Sequence, residues 1–296
     1  MTLKSKIASY EKWFIPMTFL GPALLGIFVF KIYPLFMGLY DSFFQYSFLN
    51  KEYYFAGLSN YVEAFTDPVF INSLKVTGIF NLIVNPLQVL LSFGLALLLM
   101  IKLPGKRTFR TLHLIPITVS FTIACVLWGV LLNPEQGLIN SLLAMFGIDS
   151  QPFLYSKDQA LASIIGIASW KGIGYWALFF IAGLEEVPDN LYEAASIDGA
   201  NRLTTLWRIT LPQMKRTIMF VVISDTVSNF LQFTPAYILT NGGPEGSTDL
   251  MMFQIFKNAY SYSNVNLASA MVIILLVILL VVVGIESVLL GSREGK

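Results

Sequence analysis

An all-α polytopic membrane protein is the fold class this sequence predicts, on three observations. Of its 296 residues 55% are apolar and 12% charged, against roughly 25% charged in an ordinary soluble domain. Six apolar runs reach the ~20 residues that a helix needs to cross a bilayer: 13–33, 76–100, 109–132, 160–184, 214–239 and 267–290. Between the fourth and the fifth lies a mainly polar interval, 185–212, EEVPDNLYEAASIDGANRLTTLWRITLP. A net charge of +1 gives no reason to expect a nucleic-acid partner. A single cysteine, Cys125, and a single histidine, His113, supply neither a disulfide framework nor a metal cluster.

The first run follows Lys4, Lys6 and Lys12. It is too long for a signal core and no A-x-A site follows it, so it is read as a retained span. Residues 34–75 are rich in Tyr and Phe, as suits a segment lying in the interface, and Asp67-Pro68 starts an interfacial helix leading into the second span. That span carries Asn81, Asn85 and Pro86; amides inside a bilayer are commonly interhelical glue. A short basic loop, Lys102 to Arg110, leads to the third span, which Pro116 is expected to bend. A second outer segment runs from Asn133-Pro134 to Asp158.

The fourth span contains Trp170-Lys171-Gly172-Ile173-Gly174-Tyr175-Trp176. The glycines permit close backbone approach or local unwinding, and a lysine at membrane depth is costly unless it faces a polar cavity. In the fifth span Asp225, Asn229 and Gln232 stand at i, i+4 and i+7, one face of one helix, with Ser224 and Ser228 beside them. The plainer reading of this stripe is interhelical packing with Asp225 paired to Lys171. The functional reading is a translocation cavity: amides and hydroxyls bond sugar hydroxyls while Trp170 and Tyr175 stack on pyranose faces. After it Thr240-Asn241-Gly242-Gly243-Pro244 predicts a tight turn.

Orientation follows from the cations. With the N-terminus inside, thirteen of nineteen Lys and Arg fall on the inner side, so the positive-inside rule places both termini and the 185–212 loop in the cytoplasm. Within that loop Pro188 and Asp189 can start a short helix, with Asp189 as its cap. Gly199 allows the left-handed turn that ends it. A second helix, 201–209, is expected to stop at Pro212.

Glu193-Ala194-Ala195, Asp198-Gly199-Ala200 and Ile209-Thr210-Leu211-Pro212 together resemble the EAA loop of ABC importer permeases. Gly183-Leu184 and Val187-Pro188-Asp189-Asn190-Leu191-Tyr192 are similar to the carbohydrate-uptake branch, the maltose-transporter type. So are Phe55-x-Gly57-Leu58-x-Asn60-Tyr61, the Trp128 to Asn140 block and the Gly242-Gly243-Pro244 turn followed by Ser247-Thr248. Many members of that family carry a second proline where this chain has Arg216.

The resemblance implies a type I ABC importer permease fold: 1–72 forms an N-terminal span with an outer segment, 73–290 the permease core, and 291–296 a short tail. It implies a bacterial inner-membrane location, a second homologous permease, two ATPase subunits, an extracytoplasmic solute-binding protein and a sugar or polyol substrate. Glu193, Ala194, Ala195, Asp198 and Gly199 would couple to the ATPase, Glu193 through an ATPase arginine, while Asp198 caps or braces the second helix. Trp170, Lys171, Tyr175, Asp225, Asn229 and Gln232 would line the sugar cavity; only Trp170 and Asn229 match the family directly. No G-x-x-x-x-G-K-[ST] pattern occurs, so this chain is expected to hold no cofactor and catalyse nothing, with ATP and magnesium on the partners. The alternative is an ion-coupled secondary transporter using Asp225 as a relay, which predicts inverted repeats. A non-transporting scaffold is a third reading, and it leaves an intramembrane Asp and Lys unexplained.

Overall fold

The computed structural model describes residues 17–47, 50, 52–101 and 106–291. The cations Lys4, Lys6, Lys12, Lys51, Lys102, Arg293 and Lys296, which enter the orientation argument, lie outside the described residues. Among the described residues four helices are long and apolar enough to cross a membrane, and a sharply bent pair gives a fifth if it is one span. The chain falls into two units, 1–66 with 257–274, and 67–256 with 275–296.

In the first unit α1, Met17–Asp41, runs eight residues past the expected end of the first span. Pro34 was expected to lie outside the helix. A π-helical turn, Phe28–Ile32, precedes it and Pro34 then enters at the start of a fresh α turn. The wider turn relieves the clash between a proline ring and the carbonyl four residues back. A β-hairpin that the sequence reading missed follows, β1 (Phe44–Ser47) and β2 (Glu52–Phe55), antiparallel with Phe44 opposite Phe55. Buried Asn60, at the start of α2 (Ser59–Thr66), donates to the carbonyls of Ser42 and Phe44 at 2.8 Å and accepts from Gln45 at 2.9 Å. The Asn60-Tyr61 pair of the aromatic block thus pins the hairpin base, with Tyr61 Oη 2.7 Å from Ser42 Oγ.

The second unit is built on α3, Pro68–Met100, capped by the Asp67 carboxylate, which accepts from Val69 N at 2.9 Å. The expected third span is broken into α4 (Lys106–Thr118) and α5 (Phe121–Leu131), which meet at 108°. Pro116 weakens the end of α4, and Ser120 adopts extended backbone with ψ 138°. Next come α6 (Leu138–Met145) and α7 (Ala160–Glu185).

Two apolar clusters join α7 to α3. Phe80, Val84, Ile164 and Ile167 belong to one; Leu95, Leu99, Phe180 and Ile181 belong to the other. Lipid tails are as apolar as these side chains, so the clusters join the helices by close van der Waals packing and not by release of water. Short helices α8 (Asp189–Ile197), α9 (Arg202–Thr205) and α10 (Leu211–Gln213) form the polar loop. The expected fifth span is α11, Lys215–Phe230, only 16 residues, and it ends nine residues early. Pro235 explains this: it has no N–H for the carbonyl of Leu231 and its ring clashes with that carbonyl, so the chain leaves the helix at 231–233 before residues 234–235 lead into a π turn, Ala236–Thr240. The turn at 240–244 is present, with Asn241 left-handed at φ 50°. Then α12, Met251–Phe256, leads to α13, Val265–Leu290, whose first part belongs to the first unit and last part to the second.

Candidate functional site

Five helices of the second unit, α3, α4, α5, α7 and α11, line an open cavity of about 350 Å³. Its walls bring together Lys171, Tyr175, Asp225, Asn229 and Gln232, five of the six side chains the sequence nominated. Gln232 reaches it from beyond the end of α11, one turn off the stripe's helix. The sixth, Trp170, does not line it: its ring packs edge-on against Trp128 with centroids 5.7 Å apart.

Close packing of glycines brings α7 to its neighbours. A Cβ on Gly172 would meet Gln88 Oε1 at 2.6 Å, and one on Gly174 would meet the His113 carbonyl at 2.6 Å. The α7 helix runs unbroken through both, so the glycines serve close approach and not unwinding. Gln88 is thereby placed on the cavity wall, a residue the sequence reading passed over although it lies one turn beyond Asn85.

Fully buried Asp225 is the centre of a polar network. Its Oδ1 accepts from Asn229 Nδ2 at 3.1 Å, and that amide also donates to Asn85 Oδ1 at 2.8 Å and Gln88 Oε1 at 3.3 Å. Trp176 lies beside the same carboxylate, whose Oδ2 has no hydrogen-bond partner. Asn85 Nδ2 donates onward to Thr226 Oγ1 at 3.1 Å, and Thr226 donates to Glu286 Oε1 of α13 at 2.8 Å. Glu286 was missed by the sequence reading, although it is the only acidic side chain in that 26-residue helix. It lines a second cavity of about 520 Å³ with Asn81, Asn85 and Thr77. Asn81 and Asn85 therefore act between helices, as expected of amides in apolar surroundings.

The pairing of Lys171 with Asp225 is not what the structure contains. Lys171 Nζ donates to the carbonyls of Pro116 at 3.1 Å, Ile117 at 3.4 Å and Val119. The last carbonyls of a helix have no intrahelical partner, and the break between α4 and α5 exposes those of α4. A lysine one helix away satisfies them, which also explains how α4 and α5 can meet so sharply.

The polar loop presents a second surface. Helix α8 closes with a Schellman motif: Gly199 at φ 73°, Ala200 N to Ala195 O at 2.9 Å, Gly199 N to Ser196 O at 3.2 Å. Two expected caps fall elsewhere. Pro188 occupies the N-cap position of α8 without a side-chain bond, and Asp189 lies in the first turn where the helix dipole favours it. Asn201, not Asp198, caps α9, accepting from Thr204 N at 2.8 Å, because only Asn201 has the extended backbone (ψ 164°) that a cap requires. Nor does Pro212 stop the second helix. A π turn, Leu206–Thr210, precedes it and Pro212 enters the first turn of α10, where its missing N–H is not needed. Tyr192 Oη and Thr210 Oγ1, 3.2 Å apart, tie the two limbs of the loop.

On the outer face Glu193, Ala194, Asp198 and Gly199 are exposed while Ala195 is buried. In the same loop Ile197, Leu203 and Trp207 stand 86%, 64% and 65% exposed. These three apolar side chains were not nominated from sequence, where they read as ordinary positions of short amphipathic helices. Among the described residues no group of three or more His, Cys, Asp or Glu could hold a metal ion.

Residues 69–290 match the family model described as binding-protein-dependent transport system inner membrane component. The chain is 36% identical over 260 residues to the probable ABC transporter permease protein YurN of Bacillus subtilis (strain 168), covering 86% of this chain and 89% of that one. It is 33% identical over 261 residues to the sn-glycerol-3-phosphate transport system permease protein UgpA of Agrobacterium fabrum, covering 86% and 87%. Among solved structures it superposes with a TM-score of 0.80, at 22% identity and covering 98% of this chain and 100% of the other, on a chain of a bacterial ABC transporter involved in the import of the acidic polysaccharide alginate. At that identity the likeness is one of fold.

Proposed function

The chain belongs to the family of binding-protein-dependent transport system inner membrane components, and from that premise we propose that it is the membrane-spanning permease subunit of an ATP-driven importer of a sugar, oligosaccharide or polyol. The observation that carries this reading is the 185–212 loop. A short helix closed by a Schellman turn at Gly199 and a second helix capped by Asn201 present Glu193 and Asp198 in the same loop as exposed Ile197, Leu203 and Trp207. A charged and apolar knob of this kind suits a groove on an ATPase subunit, with Glu193 meeting a cation there and buried Ala195 fixing the helix to the protein beneath.

Closure of two ATPase subunits around ATP and magnesium would move the loop as a rigid body, and the helices above it would turn the cavity from one side of the membrane to the other. Ligand-driven change of this sort needs contacts that differ between the two states; the loop supplies them. A second homologous permease and an extracytoplasmic solute-binding protein complete the assembly. This chain itself binds no nucleotide and hydrolyses nothing. Within it 1–72 forms the N-terminal span and outer segment, 73–290 the permease core and 291–296 a tail, with both termini cytoplasmic in a bacterial inner membrane.

Sugar chemistry fits the cavity: partly exposed Tyr175 offers a ring, and Asn229, Gln232, Gln88 and Ser228 offer both donors and acceptors. The test is uptake of labelled sugars into proteoliposomes holding the co-expressed complex, with binding protein outside and ATP inside. Uptake that needs ATP supports the proposal. Uptake driven by a proton or sodium gradient, with no ATPase co-purifying, overturns it.

A further inference from the structure

We infer that this cavity selects neutral or amino-bearing sugars and rejects anionic ones, with Asp225 as the selecting residue. The inference rests on the reading of the cavity as a carbohydrate site.

An ammonium group has three N–H donors and no acceptor. Lys171 is the only cation among the described residues lining the cavity, and it has three backbone carbonyls within reach, those of Pro116, Ile117 and Val119. No donor remains to meet a carboxylate or phosphate. Its positive charge is also matched where it stands, because the carbonyls at the end of α4 carry the negative end of that helix dipole.

On the opposite wall the free valence is an acceptor. Asp225 is fully buried, Oδ1 accepts from Asn229, and Oδ2 has no hydrogen-bond partner. An incoming sugar hydroxyl satisfies Oδ2, and an ammonium does so with charge assistance, roughly doubling the strength of the bond. A carboxylate or phosphate is set against the Asp225 carboxyl group with no cation free to compensate, an unfavourable arrangement once water is excluded. The remaining amides and hydroxyls serve hydroxyl groups of any sugar and do not distinguish charge.

The named relatives frame the contrast. One is named for sn-glycerol-3-phosphate, and one structural neighbour for the acidic polysaccharide alginate. Substrates of that charge are the ones this cavity disfavours.

The test is direct binding to the complete complex with its partner subunits, in lipid nanodiscs, without nucleotide or binding protein, so that only the membrane cavity selects. Maltose, the glucosamine disaccharide and digalacturonate serve as neutral, cationic and anionic probes of one size. Binding of maltose or the amino disaccharide at least about tenfold tighter than digalacturonate supports the inference. So does an Asp225→Asn variant in which the amino disaccharide loses its advantage over maltose. Digalacturonate binding tightest, and lost in Lys171→Met, overturns it and makes Lys171 the substrate contact. If none of the three binds, the carbohydrate reading itself fails and the inference falls with it.

Discussion

Asn229 donates to Asn85 across 2.8 Å, and by this contact the helix that carries the buried carboxylate is fixed to the longest helix in the protein. The same amide nitrogen lies within reach of Asp225 and Gln88, so its two N–H groups are shared among three acceptors on two helices.

Asn229→Leu is therefore expected to be worse than loss of one membrane hydrogen bond, which averages ~0.6 kcal/mol. It removes the amide that pairs Asp225 Oδ1 and takes a donor from Asn85 and Gln88, and an unsatisfied buried group costs about 1–3 kcal/mol, more if charged. The Asp225→Asn, Asn229→Leu double variant is expected to recover part of that loss. Thermal unfolding of the complex in nanodiscs checks both, and a double variant no more stable than the Asn229→Leu single one contradicts the coupling.

Thr226 stands between Asn85 and Glu286, accepting from one and donating to the other. Thr226→Val keeps the volume and removes both bonds. Its expected cost is about 1 kcal/mol of stability, because a part-buried Glu286 oxygen loses its donor. Glu286→Gln, which keeps an acceptor at that place, is expected to cost less. Thermal shifts of the two variants rank them.

Lys171→Met strips three carbonyls of their donor at the 108° break between α4 and α5. Faster amide exchange is expected there, confined to residues 111–125, with α7 itself little changed. Hydrogen–deuterium exchange read by peptide resolves this. A uniform rise across the protein, or none at the break, contradicts the role assigned to Lys171.

Much of this architecture was legible because it follows from composition and period. The runs 160–184 and 267–290 become helices within two residues of their expected ends, being mainly apolar and free of interior proline. Gly199 was legible because its αL conformation is one that glycine adopts without strain. Elements that failed involve prolines whose effect depends on the preceding turn: π turns carry the chain past Pro34 and Pro212, whereas Pro235 ends α11. The stripe Asp225, Asn229 and Gln232 was found from spacing alone. The partners of Asn229 and Lys171 on other helices were not, since Asn85, Gln88 and the Val119 carbonyl lie 52 to 144 residues away in sequence, and no periodicity links them. Trp207, Ile197 and Leu203 were passed over because an exposed apolar side chain is ordinary when single; only the exposure of all three within one loop gives them meaning.

ATP hydrolysis by the lipid-reconstituted complex, with and without sugar-loaded binding protein, is the measurement to make on wild type, Gly199→Val and Gly199→Asn. Gly199 sits at φ 73° with open space around it, so its replacement changes the backbone and nothing else. A β-branched residue is strained there by about 1–2 kcal/mol, whereas asparagine tolerates the conformation. If the loop transmits closure of the ATPases, stimulation is strong in wild type, lost in Gly199→Val and largely kept in Gly199→Asn. Stimulation undiminished in Gly199→Val, or absent from wild type while uptake follows an ion gradient, would show that energy does not enter this protein through the 185–212 loop.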